Sequence, residues 1–138
     1  MSHEFHMTDS KRMLASVTKM VEAGNEVIFG KRSWIRCPKT KKRIELKKEG
    51  HIYVMEVMFK AGGVRKKGKI VVDSGVAENV MPWSWLPEAK EMAKQEGIKF
   101  VAANGESMGN YGRKEVEFEP IYAAGEDDDC EQVFKRHA

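Results

Sequence analysis

The stretch KIVVDSGVAENVMP, Lys69 to Pro82, runs three apolar residues into an acid, a hydroxyl and a glycine and then turns apolar again. Ile70, Val71 and Val72 are apolar whichever way each points, which predicts a strand covered on both faces, central in its sheet rather than at an edge. A carboxylate straight after such a strand needs a donor to hold its charge. Ser74 is placed to supply that hydrogen bond, and Gly75 lets the backbone turn sharply and admit another chain closely. One carboxylate cannot act as acid and base on a peptide at once. Two facing carboxylates about 3 Å apart can, because the pair holds a single proton, so that one member activates water while the other protonates the carbonyl oxygen. The chain contains a single D-S-G, so the second acid must come from a second copy. The plain alternative is a turn, since Asp and Ser bond local backbone and Gly takes positive φ.

Outward from this stretch the chain reads mostly as strands. NEVIF, SWIRC, KRIEL and HIYVMEVMF are β-prone runs separated by Gly30, PKTKK and KKEG, the pattern of an antiparallel meander. Before them, DSKRMLASVTKMVEAG places Met13, Leu14, Val17, Met20 and Val21 at helical spacing, with Asp9 or Ser10 as cap and Gly24 as stop. KAGGVRKKGK, residues 60–69, reads as a flexible basic connector or a long hairpin tip and forms the best internal boundary. PEAKEMAKQEG, opened by Pro87 and closed by Gly97, predicts a short surface helix. Asn104-Gly105 stands between two β-prone runs, the strongest hairpin signal present, with Gly109 and Gly112 in its return arm. The end, residues 120–138, is acidic and sparse in apolar residues, which predicts a loose tail.

Composition bounds the function classes. With 138 residues the chain makes one domain, residues 1–138, so any active site is small or shared. No run approaches the roughly 20 apolar residues of a membrane span, and MSHEFHMTDS lacks the apolar core of a secretory signal, so the expectation is an intracellular protein, cytoplasmic or nuclear. Cys37 and Cys130 form no C-x-x-C pair and read as reduced thiols; His3, His6, His51 and His137 make no metal motif. Charge is uneven: residues 1–69 hold 17 Lys and Arg against 7 Asp and Glu, leaving 7 against 14 of the totals of 24 and 21 for the rest. The halves therefore attract each other, or the opposite half of a second copy. A nucleic-acid reading takes the basic half as a phosphate track with Trp34 as a stacking surface. The favoured reading is a solvated hairpin face, because the lysines cluster at turns without a known binding motif.

The residues resemble the retropepsin-like aspartic peptidases of copia-type retrotransposon polyproteins. Those enzymes carry an apolar strand into Asp-Thr/Ser-Gly, an apolar run after it, and a glycine-bearing hairpin flap; IVVDSGVAENVMP and FVAANGESMGNYGRKEVEF follow that order, with Asp73 and Asn104 31 positions apart. KRMLASVTKMVEAGNEVIF and HIYVMEV resemble the segment that normally follows the flap, yet here they precede Asp73. The two matches together reach from about residue 8 to 119. Either the chain is cut from a repeated array or the domain is circularly permuted, with residues 60–69 as the new connector. The chain departs from the pattern at Val76, where the family usually has Ala.

The resemblance implies a mainly β fold, a closed or split retropepsin-like β-barrel with a flap hairpin and one or two short helices. Within it, residues 8–59 form the helix and meander, 60–69 the connector, 70–119 the catalytic strand and flap, and 120–138 the tail. It implies Asp73 as catalytic carboxylate, Ser74 and Gly75 as supporting turn, and Ala103, Asn104, Gly105 and Gly109 as flap and substrate-binding residues. The activity implied is hydrolysis of a polypeptide substrate by a homodimeric endopeptidase, its own polyprotein being the target, with no metal, no organic cofactor and no membrane partner. The alternative is an inactive retroelement-derived remnant that binds peptide or nucleic acid. Elsewhere the readings are structural. Met55, Met58, Met81 and Met92 fill the core. Trp83 and Trp85 share a face and pack on the Pro87 helix, and Glu78 and Asn79 lie within reach of the site without being placed in it.

Overall fold

The structure is a computed structural model; it describes residues 3–93, 96–102, 104–121 and, for the backbone alone, 2 and 123–124. In chain order the elements are β1 (Ser2–Thr8), β2 (Leu14–Ser16), α1 (Val17–Glu22), β3 (Glu26–Ile28), β4 (Ser33–Cys37), β5 (Lys42–Glu49), β6 (Ile52–Ala61), β7 (Val64–Asp73), β8 (Val80–Pro82), β9 (Lys90–Met92), β10 (Phe100–Val101), β11 (Ser107–Met108), β12 (Arg113–Pro120) and β13 (Ala123–Ala124). The described structure is 54% strand and 5% helix, so the mainly β expectation holds.

Six strands close into a barrel in the order β6-β7-β2-β8-β1-β12, with β12 returning to pair with β6. Closure gives each barrel strand a partner on both sides over part of its length, and edges remain only where a strand outruns its partner or lies outside the barrel. β3, β4 and β5 continue outward from β6 as the expected antiparallel meander. Its strands alternate: Ser33, Ile35 and Cys37 are buried while Trp34 and Arg36 are half-buried. Inside the barrel Phe5, Met55, Val57, Ile70, Met81, Val116 and Phe118 are fully buried or nearly so. Phe118 packs edge-on against Phe5 and Phe59, with ring centroids 6.4 Å apart in both pairs. Met55 and Met81 are core residues as expected, whereas Met58 and Met92 are only half-buried.

Three expectations are corrected. The helix expected over residues 9–24 begins only at Val17, because Leu14–Ser16 pairs in parallel with Val71–Asp73 and also with Val80 of β8. A buried place between two barrel strands outweighs the helical spacing of three short residues. The cap is Ser16, whose side chain accepts from the Lys19 N–H at 3.2 Å, not Asp9 or Ser10. Gly24 does end the helical turn, with φ of 95°.

Of the two readings of residues 60–69, the long hairpin tip holds and the flexible connector does not. These residues are the end of β6 and the first half of β7, joined through Gly62 and Gly63 at φ of 55° and 80°. Two successive positive φ values make the tight hairpin turn that suits twisted strands. The segment after Pro87 is β9 rather than a helix, paired antiparallel with β12 through Met92 and Arg113. Trp83 and Trp85 consequently lack a helix to cover them and are 56% and 41% exposed. Just beyond, Lys114 is buried, and its Nζ donates to the carbonyls of Trp85 and Leu86 at 3.0 and 3.2 Å, which pins that loop to the barrel.

Cys37 is buried, while Cys130, His137 and most of the acidic end expected to be loose lie outside the described residues. Among the described residues no helix is long and apolar enough to cross a membrane.

Candidate functional site

Asp73 ends β7, which is flanked by β6 on one side and by β2 on the other. The central placement expected from Ile70, Val71 and Val72 is found, and all three are buried. The backbone then leaves the sheet in a tight turn. The N–H of Gly75 donates to Asp73 Oδ1 at 2.7 Å, so the donor is the glycine amide rather than the Ser74 hydroxyl; Ser74 itself is exposed. A Cβ on Gly75 would stand 3.1 Å from that same oxygen, a crowding that only glycine avoids without a shift.

The loop after the turn is held from below. Ser16 Oγ donates to the Val76 carbonyl at 2.8 Å, and the Ser16 N–H donates to Asn79 Oδ1 at 2.8 Å. Both side chains are buried, where an unmade hydrogen bond is costly, so Ser16 and Asn79 fix the course of residues 76–79. Asn79 also meets His3 Nε2 through its Nδ2. Glu78 pairs with Lys19 at 3.4 Å and lies 3.6 Å from His6 Nε2. Burial lowers the pKa of both His3 and His6, although Glu78 opposes the shift at His6.

A groove of about 940 Å³ opens over the Asp73 turn. Leu14, Val76, Ala77 and Val80 form one wall; Phe100, Val101 and Met108, from the hairpin, form the other. The hairpin itself is shorter than the sequence implies: β10 pairs with β11 through Phe100 and Met108, while the long run after Gly112 joins the barrel as β12. Gly105 sits in the turn with φ of 87°, its N–H bonding the Ala102 carbonyl at 2.9 Å, and Asn104 Oδ1 accepts from the Glu106 N–H at 3.0 Å. Ala103 lies outside the described residues.

Asp9, read from sequence only as a possible helix cap, borders the same groove. Its Oδ2 accepts the Gly109 N–H at 2.7 Å and its Oδ1 accepts the Tyr111 hydroxyl at 2.8 Å. These two bonds, the Gly109 amide foremost, hold its carboxyl below the ordinary value of 3.8, and the bond to Asp9 raises the Tyr111 phenol above 10.0. The ring of Tyr111 lies against Gly109 so closely that a Cβ there would fall 2.4 Å from it. Gly109 therefore serves as a seat for Tyr111, and Asp9 ties the return arm of the hairpin to the end of β1. One signal was legible: Asp9-Ser10 repeats Asp73-Ser74 at the end of a buried strand, lacking only the glycine.

In the basic half, Trp34 lies on the β4–β5 hairpin. Arg43 and Arg32 lie over the Trp34 ring at 5.3 and 6.0 Å, so this indole is already stacked by cations of its own chain. Compared with protein-family models, with curated proteins and with solved structures, the chain matches none.

Proposed function

We propose that this chain is a retropepsin-like aspartic endopeptidase that works as a homodimer, with Asp73 of each copy forming the acid pair. The reading rests on one observation: Asp73, at the outer end of a central strand and held by the Gly75 N–H, borders a groove walled by the Phe100–Met108 hairpin. Asp9 borders the same groove, but its carboxylate is engaged in tying the return arm of the hairpin through Gly109 and Tyr111. On this reading the second carboxylate comes from another copy, because the chain holds a single D-S-G.

In the pair a single shared proton sets the roles. The ionised Asp73 takes a proton from water, whose oxygen attacks the peptide carbonyl, while the protonated Asp73 of the other copy gives its proton to the carbonyl oxygen. Collapse of the tetrahedral intermediate expels the amine, which takes the proton the first Asp73 removed from water, while a hydroxyl of the diol returns its proton to the second Asp73. The extended substrate is held by main-chain bonds to the hairpin and neighbouring strands.

The test is cleavage of a mixed peptide library by the full chain at about pH 5, where such a pair shares one proton. The parent is expected to cleave, with a rate that rises faster than linearly with protein concentration, and Asp73→Asn is expected to be inert. A folded parent that cleaves nothing, or an Asp73→Asn variant as active as the parent, ends this reading. The inactive, peptide- or nucleic-acid-binding remnant would then take its place, with phosphate binding recognised by its steep fall with salt.

A further inference from the structure

The barrel is closed around Asp73, but β7 runs for 10 residues while β2 beside it has 3. β2 covers only Val71–Asp73, and among the described residues no strand pairs with Val64–Ile70 on that side. The direction of the backbone groups follows from two observations. The Val71 N–H points away from β6 and donates to the Met13 carbonyl at 2.9 Å. Antiparallel pairing alternates inward and outward groups with a period of two, so Lys69, Lys67 and Arg65 also turn their N–H and C=O outward.

Beside this open edge runs a groove of about 970 Å³. Its apolar lining includes Phe59, Trp85, Leu86 and Pro87, and Arg12, Lys66 and Lys67 add charge. The one carboxylate along it, Glu49, is bound to Lys69 at 2.7 Å. Gly68 keeps the edge close to the apolar surface, since a Cβ there would fall 2.4 Å from the Phe59 ring. Cross-strand register sorts the faces: Lys66 and Gly68 share the face of Phe59 and Val57, and Arg65, Lys67 and Lys69 share the opposite one.

We propose that this edge is a second polypeptide-binding site, which takes an extended segment of alternating apolar and acidic residues as an added strand on β7. Outward N–H and C=O groups supply the ladder. Apolar side chains of the segment meet Trp85, which is 41% exposed, and the edges of Phe59 and Leu86, and its acids meet Arg65 and Lys67 on the other face. A second copy of the same edge is excluded as the occupant, because like charges would stand opposite one another across the new ladder. The site is independent of Asp73 chemistry, so it stands or falls separately from the peptidase reading.

The experiment uses the full chain and three acetylated, amidated peptides: one alternating Val and Glu, one of the same composition with the residues in two blocks, and the alternating peptide N-methylated at every second amide. Amide hydrogen exchange and tryptophan fluorescence report binding. The alternating peptide is expected to saturate one site and to slow exchange at Lys67 and Lys69. Arg65→Glu with Lys67→Glu is expected to weaken binding by about tenfold or more, as removal of paired charges does at other interfaces. Lys67→Pro removes the outward N–H while sparing the bonds to β6, and should abolish protection at Lys69. No saturable binding, equal binding of the blocked or N-methylated peptide, or binding that leaves Lys67 and Lys69 unprotected each overturns the proposal. Binding of an oligonucleotide in place of the alternating peptide does the same.

Discussion

Ser16 stands opposite Asp73 in the parallel pairing of β2 with β7, and its hydroxyl bonds the carbonyl of Val76, three residues past that acid. One small side chain therefore caps α1, completes the barrel beside the carboxylate and fixes the loop that carries it.

Ser16→Ala is expected to lose both the cap and the loop tether. Cap loss alone costs about 1 kcal/mol, and the unsatisfied Val76 carbonyl adds about another 1 kcal/mol or more. Urea denaturation should show a lower midpoint with an unchanged slope. Ser16→Thr keeps the hydroxyl and should retain most of the stability. An Ala variant as stable as the parent would show that the tether contributes nothing.

The Asp9 bonds to Gly109 and Tyr111 should depend on pH in a defined direction. The folded carboxyl lies below its ordinary value of 3.8, so its contribution is present above that pH and is lost as pH falls through the lower, folded value. At the alkaline end the Tyr111 phenol, raised above 10.0, contributes below that pH and loses its contribution as pH rises through the folded value. Hydrogen exchange at the Gly109 amide should therefore accelerate in acid. Asp9→Asn should remove that acceleration, and Gly109→Ala, which drives a Cβ into the Tyr111 ring, should release the tyrosine at every pH.

His6 sets a second acid limit. Burial lowers its pKa below 6.5 against the pull of Glu78 and Glu4, while Arg113 and Lys19 reinforce the shift. The unfolded chain then binds a proton that the folded one resists, so stability falls as pH drops from about 6.5 toward the folded value. His3 acts in the same direction. Melting temperature should decline from pH 7.5 to 5 in the parent, and His6→Gln should show a shallower decline. A parent whose melting temperature is flat over that range would rule the buried imidazoles out as the cause. The same window includes the acid range where a shared-proton pair works, so peptidase assays need a stability control at each pH.

The meander and the Asp73 strand were legible because each is a local pattern. Alternation in SWIRC and the two-faced apolar run Ile70–Val72 specify strands with little help from elsewhere. The turn at Gly62-Gly63 was visible as a pair of glycines, but the basic residues after it masked a strand, since charge pattern alone does not distinguish a soluble linker from an exposed edge. The Pro87 segment failed for a related reason. Its helix signals were real but weak, and pairing of Lys90–Met92 with β12 outweighed them.

The site divides along the same line. Residue order alone marked Asp73, Gly75, Asn104 and Gly105, all of which act through their own turns. Ser16, Asn79, Asp9 and Tyr111 were not marked as site residues, because their roles arise from partners 60 to 102 positions away. Such contacts exist only once β2 has inserted between β7 and β8 and β12 has closed on β6. Local propensity settles which residues turn or extend. Barrel closure, driven by burial of Phe5, Phe59 and Phe118, settles which of them meet.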